Sequence, residues 1–109
     1  MDYNVTSKLD GSELKISIDG EIDHHSARDL RRRIDEKLYY YRPKTVALDL
    51  SSVSFMDSSG LGLILGRFTL ARELGGELRI TDPCESVAKI LDLAGTSRLI
   101  KIENTTAKK

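Results

Sequence analysis

Residues 45–66 read TVALDLSSVSFMDSSGLGLILG, and the period of the apolar residues changes inside this stretch from that of a strand to that of a helix. Val46, Leu48 and Leu50 alternate with Thr45, Ala47 and Asp49, the period of two that makes a strand with one face toward a core. Residues 51–55 read as a short irregular approach. After Asp57 the apolar positions move to helical spacing: Leu61, Ile64, Leu65 and Phe68 make a stripe that Ala71 and Leu74 extend. Gly75-Gly76 then closes the helix as a C-terminal cap.

The same two periods recur on either side. Upstream, Leu14, Ile16 and Ile18 alternate with Lys15, Ser17 and Asp19, and Asp10-Gly11 is a hairpin turn signal that makes residues 3–9 the antiparallel partner strand. Ala27, Leu30, Ile34, Leu38 and Tyr41 then follow helical spacing behind an Asp23 cap, and Pro43 ends that helix. Downstream, Leu78 and Ile80 mark a strand, and Asp82-Pro83 supplies an N-cap and first-turn proline. Val87, Ile90, Leu91 and Ala94 line a third helix ending at Gly95, and residues 99–102 form a last strand.

A hairpin followed by alternating helices and strands calls for parallel crossovers, hence an α/β fold with a mixed sheet of four to five strands. Because the strands alternate, the helices are expected mainly on one face, giving two layers. Residues 1–109 form a single domain, and 103–109 are expected to fray.

Composition narrows the function. Hydrophobic residues are 39% and charged residues 31%, and 17 Lys plus Arg balance 17 Asp plus Glu. A net charge of zero removes the broad attraction that non-specific nucleic-acid binders and anionic membranes require. The longest apolar or glycine run, 60–66, is far short of the roughly 20 residues of a membrane helix. No secretory signal is visible at the N-terminus, and the single Cys84 cannot form an internal disulfide, so the chain reads as cytoplasmic.

The dense chemistry lies at two strand-to-helix corners. In the first, Asp57 is a natural N-cap, Ser58 sits in the first turn, and Gly60 and Gly62 leave no side chains to obstruct an approaching surface. A helix N-terminus also favours negative charge, so a phosphate on a serine there is tolerated. Two early glycines each cost about 0.5–1 kcal/mol of helix stability, which a purely structural helix has no reason to carry. The second corner is Glu21-Ile22-Asp23-His24-His25, which parallel strands would bring to the same sheet end as Ser58. The adjacent histidines point about 100° apart on a helix and make a poor metal pair. Gly60-Leu61-Gly62 with Asp82 about twenty residues on approximates a dinucleotide fingerprint, but Leu65 stands where the third glycine belongs. An esterase elbow around Ser58 fails at Met56. Cys84 reads as a first-turn helix residue and the tyrosines at 39–41 as helix-end packing. A small phosphate- or nucleotide-binding enzyme domain built on the Gly60/Gly62 corner is the alternative reading.

On Gly20-Glu21-Ile22-Asp23-His24-His25, on Ser54-Phe55-Met56-Asp57-Ser58-Ser59-Gly60-Leu61-Gly62 and on Gly75-Gly76-Glu77, the chain resembles the bacterial anti-anti-sigma factors of the STAS fold, with the sporulation anti-sigma F antagonists closest. The resemblance implies a STAS-like two-layer domain that works by partner switching. The unphosphorylated form would bind an anti-sigma factor that is also a serine kinase and so release the sigma factor for transcription. Phosphorylation of Ser58 would end that binding, and a serine phosphatase would restore it. Glu21, Asp23, His24, Asp57, Ser59, Gly60, Leu61 and Gly62 would form the docking surface. The chain would be a substrate and not an enzyme, without metal or cofactor, and monomeric when free.

Overall fold

The structure, a computed structural model, describes residues 3–105. Strands β1 (Tyr3–Asp10), β2 (Glu13–Ile22), β3 (Thr45–Met56), β4 (Glu77–Thr81) and β5 (Ile102–Glu103) form one sheet in the order β1-β2-β3-β4-β5. The β1–β2 hairpin is antiparallel and turns at Gly11, whose φ of 64° is the left-handed conformation glycine adopts freely. All the other pairings are parallel, connected by helices α1 (His24–Tyr41), α2 (Ser58–Glu73) and α3 (Glu85–Leu93).

Alternation sorts the sheet into two unlike faces. Leu14, Ile16, Ile18, Val46, Leu48, Leu50, Leu78 and Ile80 are buried and join Leu30, Ile34 and Leu38 of α1 and Ile64 and Phe68 of α2 in one core. The alternate residues build a polar lattice: Arg79 reaches Glu13 at 3.1 Å and Glu103 at 2.8 Å, and Asp49 accepts from Ser17 at 3.2 Å with Lys15 3.8 Å away. The mixed five-stranded sheet and its helical layer are those of the expected α/β fold.

Several local expectations change. Residues 51–55 belong to β3, which runs unbroken from Thr45 to Met56. The alternation fails there because the register slips twice: Ser17 and Asp19 pair with Asp49 and Ser52, and Gly20 and Glu21 with Val53 and Phe55, leaving β3 an extra residue each time. Gly20 absorbs part of the distortion at φ 101°. The stripe of α2 is rotated from the expected one: Leu63, Ile64, Arg67, Phe68 and Ala71 are buried, Leu61 is half-buried and Leu65 is exposed. This helix is apolar nearly all round in its first half, so its inward face is set by what it docks on.

Asp82-Pro83 does not cap α3. Asp82 is left-handed at φ 54°, and its carboxylate accepts the Thr105 N–H at 2.6 Å and the Thr105 hydroxyl, while Cys84 takes the N-cap position. The expected strand at 99–102 is displaced by a short 3₁₀ turn, Thr96–Arg98, so that pairing starts at Ile102. Of the expected frayed tail, Glu103 is held in β5 and Thr105 is bonded to Asp82, and residues 106–109 lie outside the described residues. The tyrosines of α1 are exposed at its end, with Tyr40 and Tyr41 stacked edge to face at 4.9 Å instead of packing inward.

Candidate functional site

β2 and β3 are parallel neighbours whose last residues, Ile22 and Met56, pair directly. The chain leaves both strands at the same sheet edge and enters α1 and α2 side by side. The Asp57 N–H donates to Ile22 O at 3.2 Å, tying the two corners together. The C-terminal edge of parallel strands is where α/β sheets gather functional groups.

Each corner is capped by an aspartate. At α1, Asp23 Oδ1 accepts from the His25 N–H at 2.9 Å and the Ser26 N–H at 3.0 Å, and Ser26 Oγ accepts from the Asp23 N–H at 2.9 Å, a reciprocal capping box. The hydrogen bond from the Ser26 N–H is the main reason the Asp23 carboxyl stays below its ordinary pKa. At α2, Asp57 Oδ1 accepts from the Ser59 N–H at 2.8 Å. Ser58 is the first residue of α2 and exposed, and its hydroxyl has no hydrogen-bond partner among the described residues. It projects from a helix N-terminus, where unpaired backbone N–H groups and the helix dipole favour an added negative charge.

Around Ser58 the expected residues divide by depth. Glu21, His24 and Gly62 are exposed, and Asp23, Asp57, Ser59 and Leu61 are partly covered. Gly60 departs from its expected role. It is buried, and a Cβ there would stand 2.1 Å from Met56 Cγ, 2.6 Å from Met56 Sδ and 3.2 Å from Ile22 Cγ2. Gly60 therefore lets α2 press onto the strand ends, whereas a Cβ at Gly62 would meet nothing within 4 Å. The glycine rule assigned both to the surface because it cannot tell which side of the helix faces in.

The nucleotide-site alternative loses its parts here. Gly60 is filled by Met56 and gives no cradle, and the carboxylate of Asp82 is taken up by Thr105. His24 and His25 lie edge to face at 6.0 Å, and no group of three or more potential metal-ligating side chains occurs among the described residues.

A third component of the site carries no motif in the sequence. His24, Arg28, Arg31, Ser59, Gly62 and Arg67 line a groove of about 500 Å³ along the seam of α1 and α2, beginning beside Ser58. Arg67 interrupts the apolar run of α2, and that interruption was the available signal. Its side chain is only 7% exposed, and its Nε is 2.7 Å from Asp35 Oδ1 but finds no acceptor in hydrogen-bond geometry. Burial lowers the pKa of this guanidinium and the nearby Asp35 carboxylate opposes that shift; an arginine remains charged in either case.

The sequence profile of the STAS domain matches residues 4–109. The chain belongs to the STAS domain family. Among curated STAS relatives, the anti-sigma F factor antagonist of Paenibacillus polymyxa is 37% identical over 82% of this chain and 76% of its own. The anti-sigma-B factor antagonist of Bacillus subtilis is 35% identical over 94% of this chain and 92% of its own. Among solved STAS structures, the unphosphorylated anti-sigma factor antagonist SpoIIAA superposes with a TM-score of 0.80 at 26% identity, covering 94% of this chain and 89% of that one. The phosphorylated form of SpoIIAA superposes at 0.73 with 25% identity over 94% and 92%. This STAS domain thus carries the sheet, the two capped corners and the exposed serine on a scaffold shared with anti-sigma factor antagonists.

Proposed function

We propose that this STAS domain is an anti-sigma factor antagonist switched by phosphorylation of Ser58. The observation that carries the reading is the exposed Ser58 at the N-terminus of α2, its hydroxyl without a hydrogen-bond partner among the described residues, beside the Asp23 corner. The unphosphorylated domain docks on an anti-sigma factor serine kinase through Glu21, Asp23, His24, Asp57, Ser59, Leu61 and Gly62, and the sigma factor is released. The kinase passes the γ-phosphoryl group of ATP to Ser58 Oγ, with loss of the hydroxyl proton and release of ADP. A serine phosphatase returns the hydroxyl by hydrolysis. The work is done in the cytoplasm, and the domain is a substrate of these enzymes.

The switch follows from charge and fit. A phosphoserine adds about −1.5 to −2 charges, and the helix N-terminus accommodates them with a gain of roughly 0.3–1 kcal/mol when exposed. The fold has no need to move. A partner surface fitted to a hydroxyl must instead desolvate the phosphate or leave a gap. A penalty of about 3 kcal/mol is a hundredfold loss of affinity, since each 1.4 kcal/mol is a factor of ten.

The test is incubation with ATP and a serine kinase of the anti-sigma F or anti-sigma-B type, followed by mapping of the phosphosite. Ser58→Ala is expected to bind the kinase and resist labelling; Ser58→Asp is expected to keep the wild-type melting curve and bind weakly. Full labelling of Ser58→Ala would move the acceptor to Ser59, and unfolding of Ser58→Asp would replace the switch by simple destabilisation.

A further inference from the structure

We infer that the seam between α1 and α2 docks an acidic segment of the protein partner, with Arg28 and Arg31 contacting its carboxylates and buried Arg67 forming a charged floor. The inference rests on the functional reading above and extends it from the serine corner into the groove. No carboxylate is among the residues lining that groove, whereas His24, Arg28, Arg31 and Arg67 are. That concentration stands out on a chain with zero net charge.

The ion pairs of α1 single out the groove side. Arg32 is matched by Asp29 at 2.8 Å and Glu36 at 3.2 Å, and Arg33 by Asp29 at 3.6 Å. Arg31 reaches Asp35 only at 3.8 Å, and Arg28 has no ion pair among the described residues. Arg28 also stands three and four residues before Arg31 and Arg32, spacings at which like charges repel on a helix. Arg67 adds a guanidinium more than nine-tenths buried that lines the groove, its Nε 2.7 Å from Asp35 Oδ1 without hydrogen-bond alignment, so that this one carboxylate is shared between Arg67 and Arg31. A carboxylate-bearing segment would relieve the repulsion and give Arg28 and Arg31 charge-assisted partners.

The adjoining lip has the opposite sign, carrying Glu21, Asp23 and Asp57 around Ser58. The combined surface is therefore bipolar. A partner docks in one direction only, with basic groups on the lip and acidic groups in the groove, which is how charge complementarity sets register and encounter rate.

The test compares wild type with Arg28→Glu/Arg31→Gln and Arg28→Gln/Arg31→Gln by titration calorimetry against the anti-sigma factor kinase across a salt series. Circular dichroism checks each fold. Expected are unchanged folds, affinity lower by about tenfold or more, and a shallower salt dependence for both variants. Affinity within about twofold of wild type, with the same salt slope, would overturn the inference while leaving the functional reading intact. Displacement of the kinase by millimolar inorganic phosphate would make the groove a small-anion site, and a change in sedimentation of the chain alone would make it an interface between copies. Either result sinks the acidic-segment reading. A wild type that binds no such kinase removes the functional reading and this inference together.

Discussion

Replacing Gly60 and Gly62 separately by Ala separates packing from contact within a single helical turn. At Gly60 the new Cβ would lie 2.1 Å from Met56 Cγ and 2.6 Å from Met56 Sδ, and Met56 is itself 2% exposed against fully buried Ile22. Overpacking of this kind typically costs about 1–3 kcal/mol, softened by the flexibility of a methionine. The better helix propensity of Ala offsets at most about 0.8–1 kcal/mol. A net loss of up to about 2 kcal/mol follows, and with it a melting temperature lower by up to about 10 °C for a domain of this size. Gly62→Ala meets open space and gains about 0.4–1 kcal/mol, raising the melt by a few degrees. Thermal and urea denaturation read both, and an unchanged urea m-value would show that stability alone has moved. Shortening the obstacle should restore part of the loss, so Gly60→Ala in a Met56→Val background is expected to be less harmful than the two changes summed. A Gly60→Ala variant melting at or above wild type would refute the packing argument.

Gly62→Ala should fold well yet bind the anti-sigma factor kinase more weakly; equal affinity would remove Gly62 from the interface. The Asp23 carboxyl has a folded pKa below its ordinary 3.8, so its stabilisation is complete above that value and disappears as pH falls through the lowered one. Asp23→Asn, which still caps but does not titrate, should therefore lose less melting temperature on acidification below about pH 4 than wild type; parallel curves would refute the assignment. Arg67→Ala strands Asp35 at the helix seam and is expected to cost at most about 3 kcal/mol, the low end for a broken buried pair, because Asp35 is 23% exposed and Arg31 remains near. Arg67→Met, which also strands Asp35 but refills the volume, should cost less, and equal melting of the two variants would show that the filled volume is not what matters there.

The local signals were legible in the sequence because they act over a few residues. Asp23 and Asp57 as N-caps, Gly11 and Gly75 as left-handed stops, and the alternation of Leu14, Ile16 and Ile18 need only the adjoining turn or strand to be read. The meeting of the two corners followed as well, since parallel strands joined by helices must present their C-terminal ends together. What the sequence left open required distant partners. Leu50, Val53 and Met56 stand three residues apart, off the strand period of two, and only pairing with β2 makes the segment a continuous strand with two slips. An α2 apolar on nearly every side could rest on several faces, and contact with Met56, Ile22 and α1 selected the one that buries Gly60 and Arg67. Asp82 has the composition of a cap, but its carboxylate is engaged by Thr105, 23 residues away, which leaves the cap position to Cys84. The arginine-lined groove belongs to the same class: α1 and α2 each carry part of it, and it exists only once the sheet sets them side by side.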